Sequence, residues 1–145
     1  MTTVTADAVT HRSGPAPEST PLRRLRMVLM TNAATSFAGG ALGLAAAPWL
    51  SEQLGFDHVA LTRIISIGLM LFALDVAWLA RSRAERTVRW SAAVSVGDFT
   101  WVAATVALIA AGSLTTAGVV VAMVLALGVL DFGLLQLWFR SRARS

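Results

Sequence analysis

AGVVVAMVLALGVLDFGLLQLWF, residues 117–139, contains a single charged residue, Asp131. At ~1.5 Å of rise per residue a helix of this length covers the ~30 Å hydrocarbon core of a bilayer. The bilayer offers no water to an unpaired backbone group, so a run of this kind has to be helical. Its apolar residues do not alternate with polar ones, which excludes a barrel strand. Three further runs share the pattern, at residues 27–50, 64–80 and 90–111, the second barely long enough to span. The short connections at 81–89 and 112–116 make neighbouring helices antiparallel.

The predicted fold is therefore an all-α membrane protein, an antiparallel bundle of four transmembrane helices forming one domain over residues 22–145. Composition agrees. Of 145 residues 56% are hydrophobic and only 14% charged, against about 25% charged in an ordinary soluble domain. Residues 1–21 hold Thr, Ser, Ala and three prolines with no apolar run. They read as a disordered tail and not as a secretory signal.

All twelve basic residues are arginine. With the abundant alanine, this fits a bacterial, GC-rich coding sequence. Eleven of the twelve cluster at the ends of apolar runs on one side. They lie before the first run (Arg12, Arg23, Arg24, Arg26), between the second and third (Arg81, Arg83, Arg86, Arg89) and after the fourth (Arg140, Arg142, Arg144). Arg63 alone falls on the other side, near Glu52, Asp57 and His58. Basic loops stay in the cytoplasm, so the expectation is a multi-pass protein of the plasma (inner) membrane with both termini cytoplasmic. Trp78, Trp90 and Trp138 then fall near the inner interface and Trp49 near the outer one, as an aromatic belt requires. The same arginines are candidates for contacts with lipid headgroups. Their positions at span ends argue against nucleic-acid binding despite the net charge of +4.

The outer segment from Ser51 to Thr62 has two readings, a short interfacial helix or an ordinary loop. A repeat is also visible. Leu69-x-Leu71-x-x-Leu74-Asp75 matches Leu125-x-Leu127-x-x-Leu130-Asp131, and each is followed by a tryptophan and an Arg-Ser-Arg-Ala exit. Two tandem helical hairpins would produce it. Chance agreement between leucine-rich helices is the competing reading.

Asp75, Asp98 and Asp131 are the residues most out of place. An aspartate at a span centre costs ~2.5–3.5 kcal/mol on insertion scales, so such groups usually face the bundle interior or a wet cavity. Asn32 and Asp75 are each six residues from an arginine at the span end, or ~9 Å deep; Asp98 and Asp131 are each nine residues in, or ~13.5 Å. Sharing a face, the four would form a polar pocket open to the cytoplasm. Three carboxylates there could not all be charged cheaply, so at least one would hold a proton or the group would share a cation. Trp78 and Trp101 each follow an aspartate by three residues, close enough to offer an indole N–H. Ser95 and Gln136 add polar groups. Asn32, Asp75, Asp98, Trp101 and Asp131 are accordingly the candidate ligand or ion-coupling residues. The alternative is that the acids pack the bundle through interhelical hydrogen bonds.

Enzyme signatures are missing. The chain has no cysteine, and both histidines, His11 and His58, lie outside the spans, so thiol chemistry, haem ligation and a histidine-based metal site are not expected. There is no GxSxG, P-loop or dinucleotide fingerprint. No cofactor is predicted. Gly39 and Gly43 form a GxxxG step that permits close helix approach, within the bundle or with a second copy or another membrane protein. In size and span number the chain resembles the small multidrug resistance transporters, which carry an acid on their first helix. Asn32 stands on the first helix here, so the resemblance covers architecture alone. Two functions remain open. One is a non-enzymatic accessory or interaction subunit whose polar cluster packs the bundle or binds a small ligand. The other is a small proton- or cation-coupled transporter using the aspartates.

Overall fold

A computed structural model describes residues 18–144; most of the expected disordered tail therefore lies outside the described residues. Five helices follow: α1 Thr20–Ala45, α2 Ala47–Leu54, α3 Val59–Arg81, α4 Ala84–Ala110 and α5 Thr116–Arg144. No strand occurs among the described residues. Four of the helices, all but α2, are long and apolar enough to cross a membrane. The four-helix antiparallel bundle read from the sequence is the observed architecture.

The helix ends differ from the apolar runs for identifiable reasons. At the arginine-rich end the backbone stays helical past the hydrophobic boundary, so α1 starts at Thr20, α4 at Ala84 and α5 continues to Arg144. The first run is two helices and not one. Pro48 has no N–H and its ring would clash with the carbonyl four residues back, so α1 stops at Ala45 and α2 takes the proline in its first turn. The short helix of the outer segment thus occupies 47–54, ahead of the expected 51–62. Gly55 ends it at φ 84, with its N–H donating to the Ser51 carbonyl at 2.9 Å; the left-handed conformation suits glycine there.

The spans pack as two hairpins, α1 with α3 and α4 with α5. The hairpins meet closely along α1 and α5 and only sparsely along α3 and α4. Gly40 and Gly43 let α1 approach α3. A Cβ on Gly40 would lie 2.7 Å from the Ser66 carbonyl oxygen, and one on Gly43 would lie 2.5 Å from Ser66 Oγ. The glycine step of α1 therefore serves this hairpin at Gly43, whereas Gly39 has only Leu69 Cδ2 nearby, at 3.8 Å. α2 closes the opposite end. The Thr115 hydroxyl donates to the Gln53 carbonyl and accepts from the Gly118 N–H at 3.0 Å, capping α5 while holding it on α2.

At the arginine-rich end, buried Leu25, Leu29, Ala33, Val76, Leu79, Ala80 and Val94 form the apolar core. Two arginines tie that end together. Arg26 donates to the carbonyls of Ala80 and Ser82, both at 2.7 Å, and its Nε lies 2.7 Å from Glu18 Oε1. Arg140 Nε donates to the Val88 carbonyl at 2.9 Å. The Ala80 and Ser82 carbonyls lie at the end of α3, where helix carbonyls lack an intrahelical partner, whereas Val88 lies inside α4 and its carbonyl takes Arg140 as an additional donor.

Candidate functional site

Each helix is apolar on nearly all sides, and the polar residues separate by the face they occupy. Asn32 on α1 and Asp98 on α4 are 1% and 3% exposed and meet across the bundle. Asn32 Nδ2 donates to both carboxylate oxygens of Asp98, at 3.3 and 3.1 Å. From α5, the fully buried Gln136 donates through Nε2 to Asp98 Oδ2 at 3.0 Å. Ser95 donates to Gln136 Oε1 at 3.3 Å, and Ser36 to Asn32 Oδ1 at 3.2 Å. The result is a polar knot joining α1, α4 and α5, in which one carboxylate is held by amide donors. Amides stabilise a carboxylate without neutralising it. The nearest arginine along α4, Arg89, is nine residues away.

Asp75 and Asp131 do not join this knot. Both are exposed on the outside of the bundle. Asp75 shares its strip of α3 with exposed Leu71, Leu74 and Trp78, and Asp131 shares its strip of α5 with exposed Leu127, Leu134 and Trp138. Whether the three aspartates share a face was open in the sequence; here one is buried and two face outward. The expected indole partners are also elsewhere. Trp78 lies under the Arg86 guanidinium, 5.2 Å from its ring centroid, and Trp101 lines a cavity.

That cavity has a volume of about 580 Å³ and is bounded by all four spans. Asn32, Asp98, Phe72 and Phe132 lie at the end nearer the arginines, and Gly39, Ile65, Trp101 and Val124 farther along. It extends from the knot away from the arginine-rich end. Leu25, Leu29, Val76 and Val94 fill the bundle on the other side of the knot. The pocket read from the sequence as opening towards the arginine side is thus plugged there.

One glycine from each span lines the cavity: Gly39, Gly68, Gly97 and Gly128. Gly97 makes room for Phe72, whose Cε2 would lie 3.3 Å from an added Cβ. Gly68 and Gly128 have nothing within 4 Å of that position. Glycine costs roughly 0.5–1 kcal/mol in a helix relative to alanine. At these two sites no packing contact offsets that cost, and the missing side chain leaves open volume.

Gly68, Gly97 and Gly128 are the site residues that sequence reading passed over, and Gln136 was read only as an added polar group and not as a partner of Asp98. Gln136 carried a signal, as an amide within a strongly apolar run. The glycines carried none, since glycine is common in membrane helices whether they touch or not. Among the described residues no cluster of His, Cys, Asp or Glu could hold a metal ion. The chain matches no protein-family model, no curated protein and no solved structure.

Proposed function

We propose that this multi-pass protein sits in the plasma membrane with both termini cytoplasmic and binds a small, largely apolar molecule in its central cavity. It acts as an accessory or interaction subunit and not as an enzyme. The observation that carries this reading is the 580 Å³ space bounded by all four spans, with open volume at Gly68 and Gly128 and a single carboxylate at its end. Ligand pockets are typically ~300–1,000 Å³, mostly apolar, with a few polar groups that fix orientation. Asp98 would orient a hydrogen-bond donor or a cation on the ligand, because its amide partners leave its charge uncompensated.

Trp101 provides the measurement. In a variant with Trp49, Trp78, Trp90 and Trp138 changed to Phe, N-phenyl-1-naphthylamine added to protein in nanodiscs should show saturable energy transfer from Trp101. Gly68→Phe and Gly128→Phe each fill the cavity and should remove the saturable component while the helical circular dichroism signal persists. Transfer that rises linearly with probe in the parent protein would overturn the binding reading. The coupled-transport alternative predicts proton uptake into vesicles that Asp98→Asn abolishes; the binding reading predicts no such flux.

Orientation is tested separately. A green fluorescent protein fused at the C-terminus should fluoresce and an alkaline phosphatase fused there should be inactive, because the arginine-rich end remains in the cytoplasm. The opposite pattern would invert the topology.

A further inference from the structure

A second cavity, of about 700 Å³, lies at the arginine-rich end between the start of α4 and the end of α5. Arg86 and Arg89 of α4 and Arg144 of α5 line it. The buried Leu22 and half-buried Val88 give it an apolar part. Glu85 is the one acid on its wall, which leaves two positive charges in excess. Trp90, exposed over about half its surface, stands beside it.

We propose that this groove seats the head of an anionic phospholipid, with the phosphate between the three guanidinium groups and the glycerol region against Leu22 and Val88. The inference rests on the chain being a membrane protein and is independent of the central cavity.

Three observations support it. The first is height. Trp78, Trp90 and Trp138 collect at this end of the spans, and tryptophan marks the depth of the headgroups. The second is division of labour among the arginines. Arg26 and Arg140 are committed to helix carbonyls inside the protein. Arg86 and Arg89 instead lie over the rings of Trp78 and Trp90, at 5.2 and 6.0 Å from their centroids. A guanidinium over a ring face is held there without using its N–H groups, which leaves its donor fork for phosphate oxygens. The third is the mixed character of the groove. A free phosphate would use the arginines but has no apolar part for Leu22 and Val88; a phospholipid uses both. Basic pockets between membrane helices are known to select anionic lipid heads in this way.

The test reads Trp90 fluorescence, with the other four tryptophans changed to Phe, in nanodiscs carrying brominated acyl chains on either phosphatidylglycerol or phosphatidylcholine. Quenching should be saturable and favour phosphatidylglycerol. Arg86→Gln/Arg89→Gln/Arg144→Gln should weaken that preference by about a hundredfold, since each arginine that reaches the phosphate contributes roughly fivefold. Arg23→Gln/Arg24→Gln/Arg83→Gln removes equal charge from the same end outside the groove, and should weaken the preference far less than the groove variant does. Equal loss in both triple variants would mean diffuse attraction and would overturn the site, as would the absence of any preference in the parent. Displacement by soluble glycerol 3-phosphate would assign the groove to a free phosphate and overturn the lipid. If the groove triple variant loses its helical signal, Arg144→Gln near the end of α5 carries the test, with about a fivefold loss expected.

Discussion

Gly40→Leu should abolish the folded protein, whereas Gly128→Ala should raise its thermal stability. The two glycines sit in the interior of membrane-length helices and look alike in the sequence. Their surroundings are opposite. A Cβ at Gly40 would come within 2.7 Å of both the Ser66 carbonyl oxygen and Met70 Cγ, and within 3.2 Å of the Met70 nitrogen. Met70 Cγ can rotate away, but the two backbone atoms belong to α3 and move only if the hairpin opens. Overpacking a close contact costs about 1–3 kcal/mol, and that range applies to Gly40→Ala. A leucine there still meets the two backbone atoms when Met70 has moved, and should exceed it. At Gly128 the added methyl enters open space, so only the conformational freedom of the unfolded chain changes, a gain of ~0.4–1 kcal/mol. Size-exclusion profiles and circular dichroism melting in one detergent would compare all three. A Gly40→Leu protein that melts like the parent would mean that α1 and α3 are not packed through this contact.

The same pair of residues shows where sequence reading stops. The spans were legible because hydrocarbon leaves the backbone one economical conformation, and runs of 17 to 24 residues state that constraint directly. The break at Pro48 was legible in principle for an equally local reason, although the helix after it started earlier than the segment singled out for it. Which face of a span points inward is a different matter. In a soluble helix the polar side identifies the surface, but here lipid and bundle interior are both apolar. Asp75, Asp98 and Asp131 therefore looked equivalent, yet one is buried in the knot and two are outside. The repeat Leu-x-Leu-x-x-Leu-Asp was informative in a way the depth argument was not. Asp75 and Asp131 occupy matching positions in the second helix of each hairpin, and both face outward. Asn32 and Asp98, on the first helix of each hairpin, both face inward and bond to each other. Sequence position within the hairpin separates the pairs; distance from the nearest arginine mixes them.

Asn32→Leu alone should destabilise the bundle more than replacing the knot entirely with apolar side chains, as Asn32→Leu/Asp98→Leu/Gln136→Met. The single change removes the donor shared by both oxygens of Asp98 and leaves a buried carboxylate held only by Gln136. An acceptor stripped of its partner in an apolar interior costs about 1–3 kcal/mol, and polar contacts between membrane helices tend to the lower part of that range. The triple change removes the need for partners together with the partners. Apolar replacement of a complete buried polar network of similar volume is commonly neutral or stabilising. Melting temperatures of the parent, the single and the triple variants should therefore rank the single lowest, with the triple at or above the parent. That ordering would place the role of Asp98 in recognition and not in stability, because the bundle would hold together without it. A triple variant less stable than Asn32→Leu would show the reverse, that the three amide bonds to Asp98 are what bind α1, α4 and α5 into one bundle.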